Sequence, residues 1–259
     1  MDKSGHYIYC IISTRQERNF GPIGVGGGEK GGAEVLTIGY EDLSMVVSNH
    51  LPVKLLASRE NMIAHEKVIE EVMKEFDSVL PVRFGTIAAS TDEIRNLLDR
   101  RCVEFKNLLR NMDHKVELGV RGTWKNMEII FKEIAEENKE IRKAKEAIQN
   151  AGDKNNIRAK VKVGKLVEGA LVRKKEAEQE LIVDALRKIA VDHKLNKTAG
   201  DEMFINASFL VDKGWEKEFD NAMDDLSEKY EDRIKFAYSG PMPVFNFANI
   251  VIYPEDWEK

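Results

Sequence analysis

Between residues 124 and 194 the chain carries two successive amphipathic helical runs made almost wholly of charged and aliphatic residues, with β-type sequence on either side. In the first run Met127, Ile130, Phe131, Ile134, Ile141 and Ile148 recur at spacings of three, four and seven, with mostly Lys, Glu and Arg between them. One continuous helix of this span is ~40 Å long at about 1.5 Å per residue. Asn150, Gly152 and Asp153 break it, and a second run follows from about Ile157 to Lys194 with Val161, Leu166, Ala170, Ala177, Leu181, Ala185 and Ile189 as its apolar members. Gly164 and Gly169 weaken the start of this second helix. Two such helices joined by a short polar break predict an antiparallel helical hairpin, and a hairpin with one apolar stripe needs another layer to cover it.

The flanking sequence supplies that layer. Strands are predicted at Val116–Gly122, Met203–Val211 and Arg233–Ser239, with a helix over Trp215–Tyr230 that turns Phe219, Met223 and Leu226 inward. The order β, long α-hairpin, β, α, β predicts a modified ferredoxin-like domain with an enlarged first crossover. Residues 1–112 read as a separate N-terminal α+β domain and residues 113–259 as the C-terminal one, hairpin and closing segment included. In the N-terminal part, His6–Ile12 is a buried strand, and Val35–Tyr40 and Leu43–Ser48 form a hairpin across Glu41-Asp42. Ser58 caps a helix with a stripe of Met62, Ile63, His65, Val68, Ile69, Val72, Met73 and Phe76. Leu80–Ile87 returns to extended structure, and Ser90 or Thr91 caps a helix burying Ile94, Leu97, Leu98, Val103, Phe105, Leu108 and Leu109. The fold class is α+β in two domains.

Composition excludes several functions. A formal net charge of -5 opposes a nucleic-acid binder that works through a broad basic surface. Charge disappears entirely over the 18 residues 236–253, which touches the lower length limit of a membrane-spanning helix. Gly240, Pro241 and Pro243 interrupt that run and Asn246 and Asn249 would need partners in lipid, so no membrane span is expected. The start of the chain has no apolar signal core, which points to a cytoplasmic location. Cys10 and Cys102 have no metal-ligand spacing and read as reduced core thiols.

Motifs for chemistry are few. Gly26–Gly31 formally fits GxGxxG inside the glycine-rich run Gly24–Gly32, but a strand follows it where a dinucleotide site needs a helix N-terminus, so it reads as a loop between strands. His65-Glu66 begins an HExxH pattern that ends on Ile69, leaving the second zinc ligand out. His65 therefore reads as a hydrogen-bonded, partly buried histidine. No GxSxG nucleophile is present, and the acid pairs Glu136-Glu137 and Asp224-Asp225 lie on solvated helix faces. Neither catalytic residues nor a metal or cofactor site are expected.

Two segments stand apart. In Leu80–Thr86, Pro81 and Gly85 fix the backbone around Arg83 and Phe84, with core packing the plain reading for the ring and a structural ion pair for the guanidinium. In Gly240–Phe247, Gly240, Pro241 and Pro243 make a stiff turn that presents Met242, Val244 and Phe245, read mainly as interdomain packing. LPVRFGT followed far downstream by this GP-x-P aromatic segment resembles the GvpF/GvpL family of gas vesicle proteins. The likeness runs through nearly the whole chain, taking in Tyr7-Ile8-Tyr9, Glu117–Val120, Leu171–Lys175 and Ala207–Val211. It departs where the family carries Trp, Pro and Tyr and this chain has Met242, Val244 and Phe245.

The resemblance implies a non-enzymatic assembly or minor structural protein of gas vesicles, the hollow protein-walled flotation organelles. The implied partners are the small hydrophobic major shell protein and other accessory vesicle proteins, with Pro81, Arg83, Phe84, Gly85, Thr86, Gly240, Pro241, Met242, Pro243, Phe245 and Phe247 as the motif residues open to partner contact. A monomer is favoured. The alternative from another class is a small-molecule or anion-binding α+β protein using the Gly24–Gly32 loop and Arg83.

Overall fold

The computed structural model describes residues 5–26, 32–51, 53, 55–150, 157–248 and 250–252. The middle of the glycine-rich run, the break after Asn150 and Asn249 lie outside them. Among the described residues the chain forms an α+β fold with two sheets and seven α-helices, grouped in two compact units. The first comprises Met1–Glu117, Asp212–Gly214 and Gly240–Lys259, and the second comprises Leu118–Val211 and Trp215–Ser239. Sequence reasoning puts the closing segment with the C-terminal domain, whereas by its contacts it belongs to the first unit.

In the first unit, β1 (Gly5–Ser13), β2 (Asn19–Gly24), β3 (Ala33–Tyr40), β4 (Leu43–His50) and β5 (Val79–Pro81) run in the order β2-β3-β4-β1-β5, and β6 (Ile87–Ala88) also pairs with β1. The hairpin expected across Glu41-Asp42 is present, with Tyr40 opposite Leu43 and Glu41 at φ 53. β2 was not foreseen, since its Gly and Pro content hides an irregular edge strand that pairs with β3 through two register shifts.

Helix α1 (Arg59–Met73) starts where Ser58 accepts a hydrogen bond from the Asn61 N–H. Its inner face is His65, Val68, Ile69 and Val72, while Met62 and Ile63, expected inside, are about half exposed. The helix predicted after Ser90 is two, α2 (Thr91–Arg100) and α3 (Cys102–Asn111), divided at Arg101. The break rotates Val103 into solvent, 74% exposed, and leaves Cys102 only partly buried, while Cys10 is fully buried. Tyr7, Tyr9, Cys10, Ile12, Val46, Val68 and Val72 are members of one apolar cluster.

The second sheet runs β10-β7-β9-β8, from β7 (Lys115–Trp124), β8 (Asp192–Leu195), β9 (Met203–Asp212) and β10 (Ile234–Met242). With α4 (Met127–Glu137), α5 (Lys139–Asn150) and α6 (Ile157–Leu186) between β7 and β8, and α7 (Glu216–Lys229) between β9 and β10, this is the β-α-β-β-α-β order of a ferredoxin-like sheet with an enlarged first crossover. Two details differ from the sequence expectation. The first long helix is interrupted at Asn138, whose side chain accepts from the N–H groups of Glu140 and Ile141 and so starts α5. The second ends at Leu186, and Asp192–Leu195 is a strand paired with β9, a segment too short and polar to register as β. Phe209 packs against Phe219 at 5.2 Å, and Trp124 stacks on Phe204 at 5.2 Å.

Candidate functional site

The LPVRFGT segment is a tight turn between two short strands. Val79–Pro81 forms β5, Val82 donates its N–H to the Tyr9 carbonyl, and Thr86 closes back on the Arg83 carbonyl through both its N–H (3.3 Å) and its hydroxyl (2.7 Å). Gly85 sits at φ 86, a backbone region that penalises any side chain, so glycine is needed to bring Thr86 back on Arg83. The turn leaves Arg83 exposed and Phe84 half-buried. Among the described residues the Arg83 side chain makes no hydrogen bond or ion pair, so the structural ion pair expected for it is not formed there.

Behind the turn stands a buried polar relay that the motif itself does not reveal. The His65 Nε2 lies 3.2 Å from the Val82 carbonyl, which only accepts, so that nitrogen carries the proton. Nδ1 then accepts from the Tyr7 hydroxyl at 2.9 Å, and the Tyr7 oxygen accepts from the Gly85 N–H at 3.1 Å. Burial, opposed only by the Val82 hydrogen bond, lowers the His65 pKa to about 4 and keeps the ring neutral. Burial likewise raises the Tyr7 and Tyr9 phenols and the Cys10 thiol above their ordinary ranges. Tyr9 stacks on His65 at 5.6 Å, and its hydroxyl binds Ser48 at 2.7 Å and accepts from the Val25 N–H at 2.8 Å. These groups are engaged in holding the backbone.

The closing segment meets the same histidine. Phe84 and Phe245 approach His65 with ring centroids at 5.6 and 6.4 Å, so one side chain links two motifs far apart in sequence. Pro243 and Val244 are buried, Met242 and Phe247 half-buried, and Gly240, Pro241 and Phe245 exposed. After Pro243 the chain turns back, with the Phe247 and Ala248 N–H groups both donating to the Val244 carbonyl. Glu117 anchors this turn: only 1% exposed, its carboxylate accepts from the backbone N–H of Asn246 at 2.8 Å and from its side-chain amide at 2.5 Å. Arg101 donates to the Val251 carbonyl at 2.8 Å and holds the end of the segment.

Glu117 and Tyr7 went unrecognised as site residues. A carboxylate flanked by Val116 and Leu118 on a strand is the signal that marks Glu117, because an acid in such a run needs a dedicated partner. Elsewhere in this unit an open cleft of about 570 Å³ lies between α1 and the glycine-rich run, lined by Gly24, Gly26, Gly32, Asn61, Ala64 and Lys67 among others; Arg83 does not line it. No group of metal-ligating side chains occurs among the described residues, and no described helix is long and apolar enough to cross a membrane.

Known proteins share this fold. The fold matches the crystal structure of gas vesicle protein GvpF from Anabaena sp. PCC7120 with a TM-score of 0.82 at 22% identity, covering 96% of this chain and 100% of that one. It matches GvpF from Microcystis aeruginosa with a TM-score of 0.78 at 23% identity, covering 95% and 99%. In sequence the chain is 27% identical over 251 residues to gas vesicle protein F1 of Halobacterium salinarum, covering 96% of this chain and 95% of that protein. It is 26% identical over 199 residues to gas vesicle protein F of Dolichospermum flosaquae, covering 76% and 80%. The family model described as gas vesicle synthesis protein GvpL/GvpF matches residues 5–249, and the chain therefore belongs to the GvpL/GvpF family of proteins that take part in gas vesicle formation.

Proposed function

We propose that this chain is a non-enzymatic assembly or minor structural protein of gas vesicles that binds the hydrophobic major shell protein, with other accessory vesicle proteins, while the shell nucleates or grows. The family match over residues 5–249 is the observation that carries the reading. It is supported by the apolar side chains left open before and along the start of α1, where Leu51, Val53, Leu56, Met62 and Ile63 are each more than half exposed. Such surface suits a subunit that must be kept from self-association before it joins the wall. The backbone beside Arg83, Phe84 and Phe245 is held by the Tyr7–His65 relay and the Glu117–Asn246 pair, a frame for partner contact. In this reading the protein acts in a chaperone-like way with the gas vesicle in the cytoplasm, as a monomer before it engages a partner.

Deleting the protein from a vesicle-forming strain should abolish or sharply reduce vesicles seen by electron microscopy, and normal vesicles would remove the reading. Crosslinking to the shell protein with residue-level mapping should place contacts on the start of α1 or on the two motifs. The cleft beside the glycine-rich run favours a second reading, a small-molecule or anion site, to which the exposed Arg83 would be a separate contribution. Thermal shifts against nucleotides and phosphates decide it, since a real site gives about 2–4 kcal/mol at saturating ligand.

A further inference from the structure

The distal part of the helical hairpin inverts the charge of the protein. From residue 139 to residue 168 the sequence has nine Lys and Arg against four Asp and Glu, in a chain whose formal net charge is -5. Arg142, Lys143 and Lys145 on α5 and Arg158, Lys160, Lys162 and Lys165 on α6 are all exposed. Among the described residues none of these seven side chains forms an ion pair. The base of the same hairpin behaves differently: Lys174 binds Glu133 and Glu137, Arg187 binds Glu180 and Asp184, and Arg233 bridges Glu133 and Glu178. Lys174, Arg187 and Arg233 are thus neutralised at the base, while the seven cations of α5 and the start of α6 are left without an ion pair.

Spacing gives this surface a direction. Arg158, Lys162 and Lys165 fall at i, i+4 and i+7, on one face of α6, and Ile157 and Val161, 75% and 53% exposed, run beside them. Basic side chains bordering an exposed aliphatic strip match a segment with acids on one side and aliphatic residues on the other. The chemistry is less suited to the other polyanions. No Phe, Tyr or Trp occurs from 132 to 203, so nothing stacks on a base or anchors at a bilayer interface. Five of the seven cations are Lys, a point charge, where phosphate recognition favours the bidentate fork of Arg. The acidic remainder of the chain repels a long duplex or an anionic membrane and leaves a short acidic segment free to reach the arm.

We infer that the α5–α6 arm is a docking surface for an acidic polypeptide segment of a partner protein, a site separate from the motif region and independent of the shell-protein reading. Poly-L-glutamate, labelled and followed by anisotropy with the full-length protein, is the probe. Wild type should bind it with an affinity that falls steeply as salt rises. Lys143→Glu/Lys145→Glu/Lys160→Glu/Lys162→Glu should weaken binding at least about tenfold, taking every 1.4 kcal/mol as tenfold. Lys188→Glu/Lys197→Glu/Lys217→Glu/Lys235→Glu, with the same charge change at exposed positions off the arm, should bind within about twofold of wild type at a fixed ionic strength. Unchanged far-UV circular dichroism certifies both variants, and the glutamine versions of the arm substitutions serve if reversal unfolds them. Equal weakening by both sets, or no binding by wild type, overturns the proposal. So does arm-dependent binding that is tighter to duplex DNA or to phosphatidylserine vesicles at equal charge, or arm-dependent self-association by sedimentation without any probe.

Discussion

Glu117→Gln is the sharpest perturbation of the closing segment, because it keeps shape and volume and changes only what the carboxylate offers. In the native site one oxygen accepts the Asn246 N–H at 2.8 Å and the other accepts the Asn246 amide at 2.5 Å. Glutamine keeps one acceptor and turns the other oxygen into an NH2 group that faces a donor. At 1% exposure little water reaches the site to repair the loss. A hydrogen bond to a charged group contributes about 1.5–3 kcal/mol, so local opening of the 244–248 turn should become easier by about 2–3 kcal/mol. Hydrogen exchange reads this directly: the Phe247 and Ala248 amides, both bonded to the Val244 carbonyl, should exchange about 30- to 140-fold faster. Amides of the β1–β4 ladder should keep their wild-type rates. Asn246→Asp, which sets a second carboxylate against Glu117, should open the turn further still. Wild-type protection at 247 and 248 in both variants, or an equal loss over β1 and β4, would refute the view that this pair pins the segment locally.

Three further outcomes follow from the same geometry. Burial places His65 below its unfolded pKa, so the unfolded chain takes up the proton first; stability is full above about pH 6.5 and falls towards about pH 4 by at most about 3 kcal/mol, and His65→Phe should flatten thermal melts across that window. Gly85→Ala should cost about 1–2 kcal/mol from the positive φ alone, since nothing lies within 4 Å of the added methyl; a melting temperature equal to wild type would contradict the turn assignment. Arg233→Met leaves Glu133 and Glu178 facing each other and should destabilise the second unit by about 3 kcal/mol in urea unfolding. In the intact protein hydrogen bonds from Arg233 first and Lys174 second hold Glu133 down to about 2, so their contribution is present above about pH 4.5 and is lost as pH falls towards 2; carboxyl titration by NMR should show Glu133 rising towards its ordinary range in the variant, with Lys174 still holding it below.

Periodicity made most of the fold legible. Strands β1, β3, β4, β7 and β9 and helices α1, α6 and α7 are read directly from the apolar pattern, because β1, β4 and β9 are nearly unbroken buried runs and the helices bury one face. The elements that escaped are those with weak or misleading patterns. β2 carries two glycines and a proline within six residues, and β8 is Asp-His-Lys-Leu, which reads as helix end. The breaks at Arg101 and Asn138 interrupt runs whose spacing stays helical across them, so the pattern has no gap to show. At the site, the turn chemistry of Arg83–Thr86 and the stiffness of Gly240–Pro243 are visible in the residues. Their joint dependence on His65 is not, since a histidine on an apolar stripe looks the same whether it is packed or paired.

The sequence alone determined the α+β class, the ferredoxin-like order of the second half with its helical hairpin, and the two motifs that point to the family. Local spacing and turn chemistry carry that information, and each acts within a few residues. Tertiary structure alone decided that Tyr7, His65, Phe84 and Phe245 form one cluster, that Glu117 anchors Asn246, and that Arg83 stands exposed without an ion pair among the described residues. The reason is desolvation. A carboxylate, a phenol or an imidazole taken out of water must find its partner across the fold, and only the folded backbone decides which residue comes within reach.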